Sequence, residues 1–396
     1  MGGARRPLDG VTVVALEQAV AAPFATRQLA DLGARVVKVE RPDGGDFARR
    51  YDETVQGLAS YFVWLNRSKE SLTLDLKHPE AALLLERLFA RADVVVHNLS
   101  PGAARRLNLE AAALRARWPR LVVCTISGYG SGGPSSDRKA YDLLIQAETG
   151  LLSLTGTPQT PVKVGISVAD IAAGMYAFSG ILAALLERER TGEGASLEVS
   201  MLEALGEWVS HAAYYAVYSG ADPERTGAHH ASIAPYGPFR VGDGNAVYLA
   251  VQNEREWVRL CTEVLGRPEL AEDERFRTNP RRAAHRDELA ALIEESFAAC
   301  SLEEVQRRLD QATIAYSRMN TVRAFWEHPQ LSARGRWREV ASPAGPVRAP
   351  LPPLGWGDWE PRMGPVPALG EHTDAILAEL GLAPDEIRRL RAAGAV

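Results

Sequence analysis

The run from Val164 to Tyr176 contains the residue best placed to do chemistry, Asp170. Apolar residues recur after Asp170 at helical spacing, so we expect it in the first turn of a helix whose apolar stripe is buried. A carboxylate there can attack an activated acyl group and form a mixed anhydride, which divides one difficult exchange into easier steps. Because the positive end of a helix favours a charged carboxylate, we expect Asp170 to be ionised at neutral pH.

The same segment also has a purely structural interpretation. Ser167 and Asp170 have the spacing of a capping box, in which Ser167 would cap the helix and Asp170 would reach back to a backbone N–H. The segment alone is compatible with both interpretations, so capping and catalysis remain open at this point.

The first third of the chain alternates β-branched runs with helical patterns, and the runs begin at Val11, Arg35, Asp93 and Arg120. Continuous apolar strands separated by helices are typical of a parallel α/β sheet covered on both faces. Residues that follow such strands line the ligand crevice. We therefore expect four segments at one rim of the sheet: 17–23, 41–46, 98–101 and 127–130.

Beyond Asp170 we predict a long helix, a strand at 196–199 and a turn-rich linker over 219–245. A smaller α-rich unit follows, with one strand at 247–252 and helices over 254–265, 286–300 and 302–311. The Pro-rich stretch 340–367 predicts an extended segment, and the last residues predict a pair of short helices.

Composition limits the classes of partner. The chain has 396 residues, a length that favours two domains. Its formal net charge of −5 argues against nucleic acid or an anionic membrane as the main partner. We find no apolar run long enough to span a bilayer and no signal-type start, so we expect a cytoplasmic protein. The widely spaced Cys124, Cys261 and Cys300 predict buried free thiols, with neither a disulfide nor a metal site.

Several rim residues suit a phosphorylated ligand. Gly128–Gly133 follows a strand but lacks the rest of a dinucleotide fingerprint, so we expect a rim loop whose backbone N–H groups can face an oxyanion. Cationic side chains that follow strand ends are candidate phosphate-binding residues. The alternative for each is an ordinary surface side chain in contact with solvent. They are Arg41, Lys77, Arg105, Arg106 and Lys139.

With these segments assembled, the chain resembles the family III CoA transferases of the CaiB/BaiF type, which include formyl-CoA and carnitine-CoA transferases. The resemblance covers nearly the whole length. Its ordered motifs are Pro7–Val13, Leu32–Pro42 with Gly45 and Asp46, Asn66–Lys77, Ala92–Asn98 with Pro101 and Gly102, Lys139–Asp142, Asp170, Thr191–Gly194 and Leu369–Thr373.

The resemblance implies that Asp170 is the catalytic aspartate and that CoA or acyl-CoA binds as a substrate, with no tightly bound cofactor. Val20 stands where formyl-CoA transferases carry a glutamine, and their glycine-rich active-site loop has no clear counterpart, which argues against a formyl/oxalyl substrate pair. The positions that the resemblance assigns to CoA binding are Val20, Arg41, Leu74, Lys77, Asn98, Arg106, Lys139 and Tyr141.

The resemblance also implies an architecture: a Rossmann-like, parallel-sheet large domain built from both ends of the chain, a smaller α+β domain, and two subunits interlocked as a homodimer. On this basis we predict a large CoA-binding domain over 1–215 with 325–396, and a small domain with linkers over 216–324.

The segments 225–237, 314–320 and 328–331 are similar to transferases that act on short dicarboxylates, especially mesaconyl-CoA C1–C4 transferases. They assign His229, His230 and Arg318 to the substrate, and the Arg318 guanidinium can hold a free carboxylate. We predict CoA transfer between C4–C5 dicarboxylates such as mesaconate, citramalate, itaconate or succinate.

Three alternatives stay open. One is intramolecular C1–C4 CoA transfer within mesaconyl-CoA, and another is a catalytically silent CoA-binding protein. The third is an α-methylacyl-CoA racemase, which resembles this chain but pairs the aspartate with a histidine where this chain has Tyr141. Tyrosine at its ordinary pKa is a poor second acid/base group, so transferase ranks above racemase.

Overall fold

The computed structural model describes residues 5–355 and 357–396, which fold into two compact units. Unit 1 comprises residues 1–150, 164–210 and 331–396, and unit 2 comprises 151–163 and 211–330. Unit 1 is therefore assembled from both ends of the chain.

A six-stranded parallel sheet forms the centre of unit 1, in the order β3-β2-β1-β4-β5-β6. This is an α/β fold, as the apolar runs predict, and the strand order reverses between β1 and β4, where such sheets bind ligands. The strands are β1 (Thr12–Leu16), β2 (Arg35–Glu40), β3 (Lys69–Thr73), β4 (Val94–His97), β5 (Val122–Ser127) and β6 (Ser196–Ser200).

Helices connect these strands. They are α1 (Ala21–Asp31), α2 (Ser60–Asn66), α3 (Ala81–Phe89), α4 (Pro101–Arg106), α5 (Ala111–Arg117), α6 (Asp142–Glu148) and α8 (Val168–Thr191), with a 3-10 turn at Phe47–Arg50. Helix α7 (Leu151–Leu154) belongs to unit 2, and α9 (Met201–Ser219) begins in unit 1 and ends in unit 2.

Unit 2 contains an antiparallel sheet of β7 (Tyr236–Arg240), β8 (Ala246–Ala250) and β9 (Ala315–Ser317), with β8 in the centre. Its helices are α10 (Glu254–Arg259), α11 (Glu269–Glu272), α12 (Asn279–Ala284), α13 (Arg286–Phe297), α14 (Leu302–Gln311), α15 (Val322–Trp326) and α16 (Pro329–Ala333), with a π-helical turn at Leu260–Val264.

The C-terminal segment completes unit 1 with β10 (Trp337–Val340), β11 (Val347–Pro350), α17 (Thr373–Glu379) and α18 (Pro384–Ala392). It covers the edge strand β3, where Thr73 N–H donates to Thr373 Oγ1 at 3.0 Å. Beyond β3, Asp75 N–H donates to the Ala395 carbonyl at 2.8 Å. These contacts protect an otherwise open sheet edge.

Four sequence predictions about elements are wrong. The predicted linker 219–245 contains β7, whose internal Gly237 and Pro238 look like turn residues in the sequence. The predicted extended stretch 340–367 begins with the β10–β11 hairpin. Residues 151–163, predicted in the large domain, belong to unit 2 because Arg225 and Gly227 donate to the carbonyls of Thr157 and Gly156.

The fourth wrong prediction concerns apolar runs. Helix α8 is long and apolar enough to span a bilayer, with a mean hydropathy of 1.7 over its most apolar window. Slightly more than half of that window, 56%, is buried within the chain. Core helices of globular proteins satisfy the same length and hydropathy criterion, so α8 is weak evidence for a membrane span.

Candidate active site

Asp170 lies in the first turn of α8, at the end of a close helix crossing between α8 and α1. Gly174 makes this crossing possible, because a Cβ atom there would lie 2.7 Å from the Ala21 carbonyl oxygen and 3.0 Å from Phe24 Cδ1. The small side chains of α8 thus bring the partly buried Asp170 carboxyl to the N-terminus of α1.

Asp142, the first residue of α6, caps α8. Its Oδ1 accepts a hydrogen bond from the Ala169 backbone N–H at 2.8 Å, and its Oδ2 accepts one from Gln146 Nε2 at 2.7 Å. Ser167 occupies the N-cap position but makes no capping hydrogen bond with its side chain. The prediction that Ser167 caps α8 is therefore wrong. The Ala169 N–H, in the first turn of α8, instead donates to the Asp142 carboxylate of α6.

The ionisation of Asp170 also differs from the sequence prediction. Burial and, to a smaller extent, the nearby negative charge of Asp142 raise the pKa of Asp170, the backbone N–H of Ala21 lowers it, and the net result is a pKa of about 7. The expectation of an ionised carboxylate at neutral pH is wrong, because burial and the charge of Asp142, which occupies the positive end of α8, both favour the protonated form. Asp170 titrates instead in the neutral range.

A series of aromatic side chains begins at Tyr51, whose charge interacts with that of Asp170. Burial raises the pKa of Tyr51 to about 12, with contributions from the charges of Asp46, Asp170 and Tyr141. Tyr141 is exposed and directly precedes Asp142 at the start of α6. Neighbouring rings extend from Tyr51 through further aromatic contacts with centroid separations of 5.6–6.2 Å, made by Tyr61, Trp64 and Phe24.

The turn between β1 and α1 forms another part of the site. Val20 is buried at the N-cap of α1. Asn98, which follows β4, binds the backbone of Gln18 in both directions: its Oδ1 accepts from the N–H at 2.9 Å, and its Nδ2 donates to the carbonyl at 2.8 Å. The Asn98 amide is therefore engaged with the protein backbone.

A small cleft lies at the carboxyl ends of β1 to β4, the edge at which parallel α/β sheets bind ligands. It brings together two predicted CoA-binding residues, Arg41 and Leu74. The Arg41 side chain is about half exposed, and its Nη2 donates to the Gly45 carbonyl at 3.1 Å. The other lining residues are Leu16, Glu17, Gln18, Val39, Glu40, Gly45, Asp46, Leu76 and Leu99.

The remaining predicted CoA-binding cations are Lys77, Arg106 and Lys139, and all three are exposed. Lys77 follows β3, Arg106 is the last residue of α4, and Lys139 precedes α6. Each lies on a segment that leaves the carboxyl end of a strand, but the structure records no contact between these cations and Asp170. Their assignment to CoA binding stays a prediction.

In unit 2, His229 and His230 lie in a turn that packs on β7. The His230 ring stacks on Tyr236 with 5.1 Å between centroids, and the His229 ring meets Phe239 edge-on at 5.8 Å. Arg318 is exposed after β9, two strands away from β7. The three predicted substrate residues therefore do not form one cluster.

Sequence reasoning missed Arg286, which lines a small cleft with His229 and Tyr236. Burial lowers the pKa values of His229 and His230, and the positive charge of Arg286 lowers both further. No local motif connects Arg286 with residues more than 50 positions earlier, so only the fold could reveal this neighbour.

The remaining groups to consider are candidate metal ligands and the cysteine thiols. Over residues 5–355 and 357–396, no group of three or more His, Cys, Asp or Glu side chains is placed to hold a metal ion. Cys124, Cys261 and Cys300 are buried free thiols, as predicted, and burial raises the pKa of Cys124 to about 12.

Comparison with known proteins decides the family. Residues 8–373 match the model of CoA-transferase family III. The chain belongs to that family. A structure of a CaiB/BaiF family protein from Brucella suis has a TM-score of 0.83 and 36% identity, covering 95% of this chain and 100% of the other. The predicted α/β fold and the predicted enzyme class are thereby confirmed.

Two curated relatives of this family III chain have dicarboxylates in their names. A succinate–glutarate CoA-transferase from Agrobacterium fabrum is 34% identical over 96% of this chain and 97% of its own length. A succinyl-CoA–D-citramalate CoA-transferase from Chloroflexus aurantiacus is 32% identical over 98% and 97%. These similarities support CoA transfer between dicarboxylates as the general activity of this family III enzyme.

Proposed function

We propose that this family III enzyme transfers CoA from succinyl-CoA to a C4–C5 dicarboxylate, with Asp170 as the covalent acyl carrier. The observation that carries the proposal is the placement of Asp170: a partly buried carboxyl at the N-terminus of α1, whose pKa of about 7 leaves it part ionised at neutral pH. The names of the relatives support the substrate class.

The first half of the reaction removes the donor acid. The ionised Asp170 carboxylate attacks the thioester carbonyl, the C–S bond breaks, and an aspartyl anhydride and CoA thiolate form. The thiolate then attacks the Asp170 carbonyl of the anhydride, which gives an aspartyl-CoA thioester and releases the donor as a free carboxylate. That carboxylate leaves with one oxygen atom that came from Asp170.

The second half runs the same steps in reverse with the acceptor. The acceptor carboxylate attacks the aspartyl thioester and expels CoA thiolate, and the thiolate attacks the acceptor carbonyl of the new anhydride. The products are the new acyl-CoA and a regenerated Asp170 carboxylate that contains one oxygen from the acceptor. No redox partner or external proton source enters this balance.

CoA occupies the site as a substrate. We assign its adenosine portion to the cleft with Arg41 and Leu74, and its phosphates to Lys77, Arg106 and Lys139. Val20 and Tyr141 remain candidate CoA contacts. His229, His230 and Arg318 remain the candidate residues for the acid substrate, with Arg286 added beside the histidines. An alanine at a true acceptor contact raises KM for the acid more than KM for succinyl-CoA.

Two isomerase activities are the alternatives. A racemase needs a second acid/base group across the α-carbon, and Tyr51, with its pKa raised to about 12, does not supply one at neutral pH. Proton exchange with deuterated water would identify a racemase. Turnover of mesaconyl-CoA without added acid would identify intramolecular C1–C4 transfer.

The assembly and location are part of the same proposal. A single chain exposes large apolar side chains near the end of α9, including Tyr214, Val217 and Tyr218, as expected of a surface that a partner covers. We assign this surface to an interlocked homodimer of the kind that the family resemblance implies, and we place the enzyme in the cytoplasm.

Incubation of the purified protein with succinyl-CoA and single acids tests the activity. The acids are glutarate, citramalate, mesaconate, itaconate and malate, with mesaconyl-CoA alone as the control for internal transfer. We expect new thioesters by mass spectrometry with wild-type protein and none with Asp170→Asn. An Asp170→Asn variant with full activity would refute the mechanism, and a wild type that transfers to none of these acids would refute the substrate class.

A further inference from the structure

The turn between β1 and α1 adopts an unusual backbone conformation next to Asp170. Ala19 has a φ of 62°, in the left-handed region that residues with a side chain rarely occupy. Such a conformation persists only where the surrounding contacts impose it. Two residues later comes Ala21, whose backbone N–H acts on the Asp170 carboxyl. The shape of this turn therefore determines where that donor points.

Two side chains hold the turn by hydrogen bonds to its backbone. Asn98 binds both the N–H and the carbonyl of Gln18, at 2.9 and 2.8 Å. Asp46 Oδ1 accepts from the Ala19 backbone N–H at 3.1 Å, and also from the N–H of Ala48 at 2.9 Å. The backbone groups of Gln18 and Ala19 are thus hydrogen-bonded to Asn98, which follows β4, and to Asp46, which follows β2.

Asp46 is itself fixed by a buried cation. Its Oδ2 lies 2.8 Å from Lys38 Nζ, and both side chains are completely buried. Glu17 lies 3.4 Å from Lys38 and 2.6 Å from Lys69, so two anions and two cations form a connected, fully buried cluster. Removing one partner would leave an uncompensated buried charge, so these contacts hold Asp46 in place.

We propose that Lys38, Asp46 and Asn98 are positioning residues, which hold the turn in its left-handed conformation and so aim the Ala21 N–H at the Asp170 carboxyl. The proposal rests on the proposed function and adds to it. It gives Asn98 a role beyond the predicted CoA contact, because both polar atoms of its side chain hold the backbone of Gln18.

The aimed N–H has a chemical role at two stages. Before the reaction it favours the ionised form of Asp170, which is the nucleophile. When the thiolate or the acceptor attacks the Asp170 carbonyl, negative charge develops on the carbonyl oxygen of that side chain. A backbone N–H already aimed at this group can stabilise the charge without reorganisation.

Two variants test the proposal, Asn98→Ala and Asp46→Asn, each assayed with succinyl-CoA and glutarate. If the residues position the turn, we expect kcat to fall by about tenfold or more and KM for succinyl-CoA to change by less than about threefold. The acid limb of the pH profile of kcat/KM should also move to higher pH, because a displaced N–H no longer favours the carboxylate.

Asp31→Asn is the matched control. Asp31 is a buried carboxylate at the other end of α1, held by Arg27 at 2.7 Å and Arg67 at 2.8 Å. Its replacement should lower the melting temperature but leave both kcat and the acid limb unchanged. If Asp46→Asn does not fold, Asn98→Ala decides the question, since Asn98 is only partly buried.

The outcomes separate the two proposals. A wild-type protein without transferase activity refutes the proposed function itself. A wild type that transfers CoA, together with an Asn98→Ala variant that keeps its kcat and acid limb, overturns the positioning role. A higher KM for succinyl-CoA at unchanged kcat in Asn98→Ala would likewise overturn it, and would mark Asn98 as a CoA contact.

Discussion

At the residue scale, the proposed mechanism requires that Asp170 be available as a nucleophile while it is partly buried. Burial and the charge of Asp142 raise its pKa to about 7, whereas the Ala21 N–H opposes that rise. A carboxylate with a higher pKa is a stronger nucleophile in its ionised form. Because a large fraction of Asp170 is ionised near neutral pH, the carboxylate is both a strong nucleophile and present in the form that can react.

The first prediction concerns pH and rate. Because only the ionised Asp170 attacks the thioester, kcat/KM should fall toward acid pH, with an apparent pKa near 7. Asp142→Asn should move this limb to lower pH, since it removes a charge that raises the pKa of Asp170. A kcat/KM that stays flat between about pH 5 and pH 8 would contradict this assignment of the limb.

The second prediction concerns pH and stability. The folded pKa of Asp170 lies above its ordinary value of 3.8, so the unfolded chain releases the proton first as the pH rises. Folding is therefore penalised progressively between about pH 4 and pH 7, and the penalty stays constant above that range.

Asp170→Asn removes this penalty. Melting temperatures from scanning calorimetry should be equal for the two proteins near about pH 4, and higher for the variant, on the order of 1 °C or more, at about pH 8. A variant that is less stable than wild type at the higher pH would show that Asp170 contributes to folding as a charged group.

At the element scale, the crossing of α1 and α8 places the Asp170 carboxyl, the proposed nucleophile. Gly174→Ala puts a Cβ atom 2.7 Å from the Ala21 carbonyl oxygen, which forces the helices apart. We expect a loss of about 1–3 kcal/mol in the free energy of unfolding, with a drop in kcat, measured by urea denaturation and steady-state assay.

Gly180→Ala is the matched control in the same helix. A Cβ atom at Gly180 would meet only Leu197 Cδ1 at an ordinary 3.6 Å, so the substitution should be neutral or stabilise α8 by about 0.5–1 kcal/mol. Equal effects of the two substitutions would remove the close crossing as the reason for a glycine at position 174.

The sequence predicts the parallel strands that are continuously apolar, but not β3. That strand reads Lys-Glu-Ser-Leu-Thr, and its Lys69 is buried only because Glu17, 52 positions away, neutralises it. Similarly, Asp142 caps α8 from 27 positions upstream, so the local Ser167 box was the natural prediction. Local patterns identify Asp170, whereas its ionisation and its supports depend on contacts that only the fold creates.

At the scale of the whole molecule, unit 1 needs both chain ends, and α9 exposes apolar side chains in the single chain. Tyr214 and Tyr218 stack on each other while 65% and 83% exposed. An interlocked homodimer would explain both features, because the chain between the two parts of unit 1 could pass around a partner before it returns.

The whole-molecule prediction is that subunits do not exchange. Light scattering should give twice the 43.0 kDa mass of one chain. Two preparations with different affinity tags, mixed in the native state, should form no mixed dimers over days, since interlocked chains separate only by unfolding. Mixed dimers should appear after joint unfolding and refolding, and their rapid appearance without unfolding would contradict the interlocked arrangement.

The most direct test of Asp170 as the acyl carrier is to trace the oxygen atoms of its carboxyl group during turnover. Wild-type protein is incubated with succinyl-CoA and succinate whose carboxylates contain oxygen-18, and the peptide that contains Asp170 is then weighed by mass spectrometry. Each completed turnover moves an acceptor oxygen into the Asp170 carboxyl, so we predict a heavier peptide whose fragments locate the label at Asp170. Full CoA exchange with no label in that peptide would contradict Asp170 as the acyl carrier.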